Sequence, residues 1–370
     1  MAHPSQPLIA HPVGVTACSD TSDTGIGPVP VPRTAKSILV VTAVIAVMAI
    51  AARLLLRENV HDLLETLRDL DPMLIGLAIA AYFASVFVWS LRWRIALSCL
   101  DCHVSIGTLA SIILSGIFLN NVTPVMRVGG DPFGRVYLLQ KLAHTRYSSS
   151  MATSIGEHAF DPLFTVLLLT GGLFLQSVDS SPWLAATVLA VGGAVTITVG
   201  FGPRLFFKQK VGLRGVGHLL GRISGWVWRR TDNQRIVQGV ETFYSGVYTV
   251  INTWRRGFLI GGLTAVIWVL DVLRFYVIFL SLGHQPTLGM LLLASSLPVL
   301  LGLIPFLPGG LVIVEGSLVA LFAAHGVPIE IAVAVTMIER GISFVLSSIV
   351  GGVFFSYLGI KSAGNTGPQE

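Results

Sequence analysis

Apolar residues fall in long blocks along this chain, and polar residues gather between the blocks. Apolar runs cover about Ser37 to Leu56, Pro72 to Leu97, Met151 to Leu175, Trp183 to Phe201, Phe258 to Leu282 and Ile329 to Tyr357. Each is near the roughly 20 residues that a helix needs to cross about 30 Å of hydrocarbon. Two other apolar regions are interrupted. Ile106 to Leu119 is short for a span and runs into the polar stretch Asn120 to Arg135, which carries Thr123, Pro124, Arg127, Gly129, Gly130, Asp131 and Pro132. The region Leu288 to His325 is broken at Ile304 to Gly316, where Pro305 and Pro308 precede Gly309, Gly310 and then Glu315. Irregular backbone is tolerated at membrane depth only where protein or a wet cavity satisfies its polar groups. The two stretches share one grammar and are expected to be re-entrant floors of a site.

Composition fits this pattern. The 370 residues are 53% hydrophobic and only 12% charged, against roughly a quarter charged in soluble domains. The chain is therefore expected to be an all-α polytopic membrane protein. Its basic character does not point to nucleic acid, because the basic residues sit at span ends. Ten of the 24 Lys and Arg residues lie between Pro203 and Arg256, which marks a cytoplasmic loop, with a grip on anionic lipid head groups as the specific alternative. Residues 1–36 read as a disordered polar tail, Arg57 to Leu70 as an interfacial amphipathic helix, and residues 359–370 as a polar tail. Trp89 and Trp93, with Arg92 and Arg94, read as an interfacial belt. Cys99 and Cys102 lack a second pair, so no metal or cofactor is expected.

The chain also repeats itself. Shifted by 182 residues, Leu91-Arg92-Trp93 falls on Leu273-Arg274-Phe275, Ser105 on Thr287, Gly107 on Gly289 and Glu157-His158 on Glu339-Arg340. Gly129-Gly130 misses Gly309-Gly310 by two residues. Repeat one spans about 72–176 and repeat two about 258–357. If each broken stretch enters and leaves on one side, an odd number of crossings separates the repeats, and the second is inverted. Basic residues follow the first broken stretch, whereas Phe275 to Glu339 contains none. The expected architecture is six full spans and two re-entrant pairs, with inverted repeats and both termini in the cytoplasm. Spanning of both arms would make ten crossings; spanning of one arm of each would make eight, with parallel repeats.

Charges within spans need partners or water, since each costs about 2.5–3.5 kcal/mol at the bilayer centre. Glu157, Asp161, Asp271, Arg274, Glu339 and Arg340 lie in spans; Arg127, Asp131, Arg135 and Glu315 lie at the broken stretches. Asp271 and Arg274 are spaced to pair on one helix face. Adjacent Glu339 and Arg340 must look elsewhere, and cross-repeat pairs of Glu157 with Arg340, or Glu339 with Arg127, would fasten the repeats together. The functional alternative is a cavity for a substrate bearing both signs of charge. Arg127, Arg135 and Arg340 would meet phosphate; Asp131, Glu157, Glu315 and Glu339 would meet ammonium or gate the path. Asn120, Asn121 and Thr123 would line it, with Asp161 and Arg274, and Gly129, Gly130, Gly309 and Gly310 would permit close backbone approach.

The run Asn121 to Arg135 continuing to Lys141, together with Pro308-Gly309-Gly310, Glu315-Gly316 and Glu339-Arg340-Gly341, resembles the lysylphosphatidylglycerol synthase transmembrane (flippase-like) family over about residues 37–358. The resemblance implies a membrane domain that moves aminoacylated phosphatidylglycerol or other polar lipids between leaflets of the cell membrane. Its partners would be membrane lipids and a lipid-modifying enzyme, and a homo-oligomer is compatible with it. The chain ends at Glu370, so the soluble synthase activity of fused relatives is not implied. Stand-alone relatives are associated with polyprenyl-phosphate or hopanoid pathways. The rival expectation is a membrane transferase with Asp131 or Glu157 as general base, or an accessory subunit without transport of its own. No nucleophile–base pair favours the enzyme, and His158, the one His in a core span, reads as structural.

Overall fold

The computed structural model describes residues 70–100, 104–122, 131–143, 147–178, 181–208, 253–301 and 313–364, with a few isolated positions elsewhere. The expected first span, the amphipathic helix, the N-terminal tail and most of the basic loop lie outside the described residues, as do Thr123, Arg127, Gly129, Gly130, Gly309 and Gly310.

Among the described residues the chain is helical throughout. Five helical stretches are long and apolar enough to cross a membrane, and they coincide with five of the six expected spans. The first, α1 (Pro72–Leu97), starts where the Asp71 carboxylate accepts the Met73 N–H at 2.8 Å and Pro72 occupies the first turn. Then come α2 (Ile106–Val122), α3 (Phe133–Ala143) and α4 (Tyr147–Glu157). A single 3-10 turn, His158–Phe160, joins α4 to α5 (Asp161–Ser177). After α6 (Pro182–Lys208), the second repeat supplies α7 (Trp254–Ser281), α8 (Leu288–Leu301), α9 (Ile313–Ala324) and α10 (Ile329–Arg340). A π-helical turn, Gly341–Leu346, then leads into α11 (Ser347–Gly364), a helix running past the expected end of its span. Helix α7 ends at Gly283, whose φ of +67° lets the His284 N–H reach the Phe279 carbonyl at 3.1 Å. Helices α2, α8 and α9, of 17, 14 and 12 residues, reach only about 18–26 Å, less than the hydrocarbon thickness.

The repeats meet through equivalent elements. Helix α1 packs along α7, its counterpart. The Asp71 N–H donates to the Ser281 carbonyl at 3.2 Å, so the start of α1 lies at the end of α7. At the other end, the Arg256 guanidinium donates to Cys99 Sγ at 3.2 Å. Two equivalent spanning helices therefore run antiparallel, and the repeats are inverted. The remaining contacts exchange in the same way: α2 packs on α11, and α8 on α5. Each crossing has a glycine at its closest point. A Cβ on Gly351 would sit 2.2 Å from the Leu114 carbonyl oxygen, and one on Gly172 would sit 2.9 Å from the Gly289 carbonyl oxygen. Without a hydrophobic drive between helices in lipid, such backbone approach is a main source of association.

Candidate functional site: a charged cavity between the inverted repeats

Both Glu-bearing spans change helical geometry at their charges. Glu157 is the last residue of α4 and precedes the 3-10 turn; Arg340 is the last of α10 and precedes the π turn. The expected continuous spans are thus irregular at their charged residues. A π turn widens the helix locally and is frequent at functional sites.

Repeat one builds a dense cluster. The Arg135 guanidinium is wholly buried and donates to Glu157 at 2.6 Å and to Asp131 at 2.9 Å. Its charge lies 4.1 Å from the Trp93 ring centroid and 4.9 Å from that of Trp89. Trp89 Nε1 donates to Glu157 at 3.2 Å. Arg92 donates to Asp161 at 2.5 Å and stands 3.7 Å from Glu157. His158 lies between the elements: its Nε2 is 3.0 Å from Asp131, and its Nδ1 makes a short contact with Asp161. Burial of these charges is tolerable because every one has partners, and removing one would strand another.

Repeat two is sparser. Arg274 donates to Asp271 at 2.9 Å and to Glu339 at 3.2 Å. Arg340 faces Glu315 at 2.9 Å and Glu339 at 3.9 Å. Its Nη2, and the Ser343 hydroxyl one turn on, are buried without a hydrogen-bond partner among the described residues.

Between the two clusters lies a cavity of about 490 Å³. Of the residues named from sequence, Asn120, Asn121, Asp131, Asp161, Arg274, Glu339 and Arg340 line it. Arg135, Glu157 and Glu315 do not; they stand behind the wall and hold lining residues in place. Arg135 is therefore no direct phosphate ligand, contrary to expectation, because its guanidinium is enclosed by its two carboxylates and two indoles.

Three further corrections follow from the geometry. Arg92, Trp89 and Trp93 are not an interfacial belt: Arg92 and Trp93 are buried, and Arg92 and Trp89 line the cavity. The register with Arg274 was the signal for Arg92. The cross-repeat pair Glu157 with Arg340 does not form, since Glu157 is held by Arg135 and Arg92, and Arg340 by Glu315. Hydrogen bonds to neutral side chains fasten the repeats instead: Arg92 donates to Thr264 at 3.0 Å, and Asn121 to Ser348 at 2.9 Å. Finally, His158 is a lining residue with two carboxylate partners rather than a structural bystander. Tyr82, Trp268 and Ser295 also line the cavity, and no local sequence signal marks them.

Comparison with known proteins agrees with a membrane-spanning chain. The family model described as lysylphosphatidylglycerol synthase TM region matches residues 37–351. A UPF0104 membrane protein of Methanothermobacter thermautotrophicus is 30% identical over 325 residues, covering 85% of this chain and 94% of that protein. A UPF0104 membrane protein of Pyrococcus horikoshii is 28% identical over 292 residues, covering 76% of this chain and 86% of its own. Glycosyltransferase AglD of Haloferax volcanii is 26% identical over 347 residues; these are 87% of this chain but 54% of that protein. No solved structure matches the chain. The chain belongs to the lysylphosphatidylglycerol synthase transmembrane-region family, as a multi-pass membrane protein.

Proposed function

We propose that the protein moves polar lipids between the leaflets of the cytoplasmic membrane, with the head group in the cavity between the repeats and the acyl tails in lipid. The observation that carries this reading is the cavity itself. It lies between inverted repeats and is lined by Arg92, Arg274 and Arg340 on one side of the charge balance and Asp131, Asp161, Asp271 and Glu339 on the other. Its volume of about 490 Å³ falls within the roughly 300–1,000 Å³ of small-molecule sites. A head group with a phosphate and an ammonium, such as an aminoacylated one, finds both complements there. Arg340, with its unpartnered Nη2, takes the phosphate; the carboxylates take the ammonium. The basic loop and both termini face the cytoplasm, where a lipid-modifying enzyme would deliver the substrate.

The test is movement of fluorescent anionic, zwitterionic and aminoacylated lipids by the purified protein in liposomes. Wild type moves at least one class. Arg340→Ala and Glu339→Gln slow it about thirtyfold or more, because losing one partner of a buried charge pair in a site costs about 2–5 kcal/mol. No movement of any lipid class would overturn the reading. The likeness to glycosyltransferase AglD favours a second reading, a membrane domain serving group transfer to a lipid carrier. Transfer without lipid movement would support it.

A further inference from the structure

The repeat register places His158 on Arg340, so one repeat carries a group that can lose its proton where the other carries a permanent cation. The surroundings of His158 suit both of its states. When it is charged, Nε2–H points to Asp131, 3.0 Å away, and Nδ1–H to Asp161. When it is neutral, one ring nitrogen becomes an acceptor, and donors are already present: Arg92 Nη2 stands 3.1 Å from Nδ1, and Arg135 Nη1 stands 3.4 Å from Nε2. A purely structural histidine needs one such arrangement; this one has two. Its side chain is 29% exposed and lines the cavity, so water can exchange its proton.

The same carboxylates serve the proposed head group. Asp131 stands just before α3, beside the broken stretch, and Asp161 opens α5. Every carboxylate around His158 also meets an arginine: Asp131 and Glu157 meet Arg135, Asp161 meets Arg92, and Asp271 on α7 and Glu339 on α10 share Arg274. Trp89 of α1 closes the edge of the ring, 5.5 Å between centroids. Asp131 and Asp161 are the two that both line the cavity and contact the His158 ring nitrogens directly, so they are the pair for which a proton on His158 and an ammonium of the head group compete.

We infer that His158 is a proton-binding site and that lipid movement is coupled to proton movement in exchange. This rests on the transport reading above. One proton joins the imidazole from water on one side, neutralises the pull of Asp131 and Asp161, and the head-group ammonium leaves. The proton departs to water on the other side, and each carboxylate, left with its one arginine, takes the next head group. No bond to the lipid is made or broken.

The test uses the full chain in liposomes, with phosphatidylethanolamine carrying a fluorophore on one acyl chain. The membrane potential is held at zero with potassium and valinomycin, and protein-free vesicles serve as control. One-for-one exchange under a pH difference of one unit draws the labelled lipid toward the leaflet facing the acidic compartment, by up to about tenfold. His158→Gln abolishes this bias, so the leaflet ratio returns to one whatever the absolute rate; thermal melting and size-exclusion profiles establish that the variant is folded. A second measurement uses wild type alone: an enclosed pH dye reports proton countermovement when lipid moves. Lipid movement in wild type with no bias and no proton flux would overturn the coupling and leave the transport reading standing. Bias toward the alkaline side would overturn exchange. No movement of phosphatidylethanolamine would overturn this inference; the transport reading falls only if the anionic and aminoacylated lipids stay still as well.

Discussion

The two halves of the cavity occupy equivalent positions in the inverted repeats yet are finished differently. In repeat one, Arg135 is sealed by Asp131, Glu157 and two indoles, and its span tightens into a 3-10 turn. With the Gly-Gly pairs superposed, position 135 falls on 315, where the residue is Glu315. There the ion pair is with Arg340, and the span loosens into a π turn. At this position the inversion preserves where charge is placed but not its sign, although Arg92 and Glu157 keep theirs in Arg274 and Glu339. The difference teaches that one half ties its charges into a dense scaffold around a titratable histidine, whereas the other is more sparsely paired; each leaves a buried donor without a hydrogen-bond partner among the described residues on a lining residue, Arg92 Nε in one and Arg340 Nη2 in the other.

If repeat one is the scaffold, its centre should be the most sensitive point. Arg135→Ala strands Glu157 and Asp131 and should destabilise the protein by about 3–5 kcal/mol. Glu315→Gln, which loses one partner of a pair with Glu339 still near, should cost less, about 1–3 kcal/mol. Denaturant unfolding in detergent checks both, and equal losses would erase the distinction between the halves. The glycine crossings give the next effect. Gly351→Ala meets the backbone of α2 and should cost about 1–3 kcal/mol. Gly172→Ala meets the Leu293 side chain and, at 2.9 Å, the Gly289 carbonyl oxygen; this backbone approach is less close than the 2.2 Å at Gly351, so the cost should be smaller. Thermal melting of the two variants side by side measures the difference; a larger loss at Gly172 would mean that the α8–α5 crossing is the tighter one. The smallest effect is expected at Asp271→Asn, whose carboxylate is 27% exposed and pairs within its own helix. A loss of about 1 kcal/mol or less fits a hydrated pair, and a larger one would mean that repeat two is held by its charges as tightly as repeat one.

Much of the fold was legible because hydrocarbon leaves few choices. Five long helices fall where apolar runs of the needed length occur, and the short arms α2, α8 and α9 flank the Pro-Gly stretches. The inversion was legible too, since a register over several landmarks and the parity of crossings point the same way, and the antiparallel α1–α7 pair agrees. The pairing of charges was harder. Sequence spacing found Asp271 with Arg274, because both lie on one helix. It missed Arg135 with Glu157, which depends on how α3 folds back against α4 and α1. Arg92 and its tryptophans were read as a belt because belts and buried clusters use the same residues near a span end. Only the repeat register, pressed further, separates the two. His158 was set aside for the same reason: its neighbours come from α1 and from Asp131, distant in sequence. Tyr82 and Trp268 line the cavity from apolar helices and carry no local mark.

The central claim is that the head group travels through the cavity beside the π turn. Ser343→Cys, in a background lacking Cys18, Cys99 and Cys102, places a thiol on that wall. Lipid movement is then measured in liposomes before and after complete reaction with a bulky thiol reagent. The account predicts that the adduct stops movement and that transported lipid slows the labelling. Full labelling with movement unchanged would contradict it.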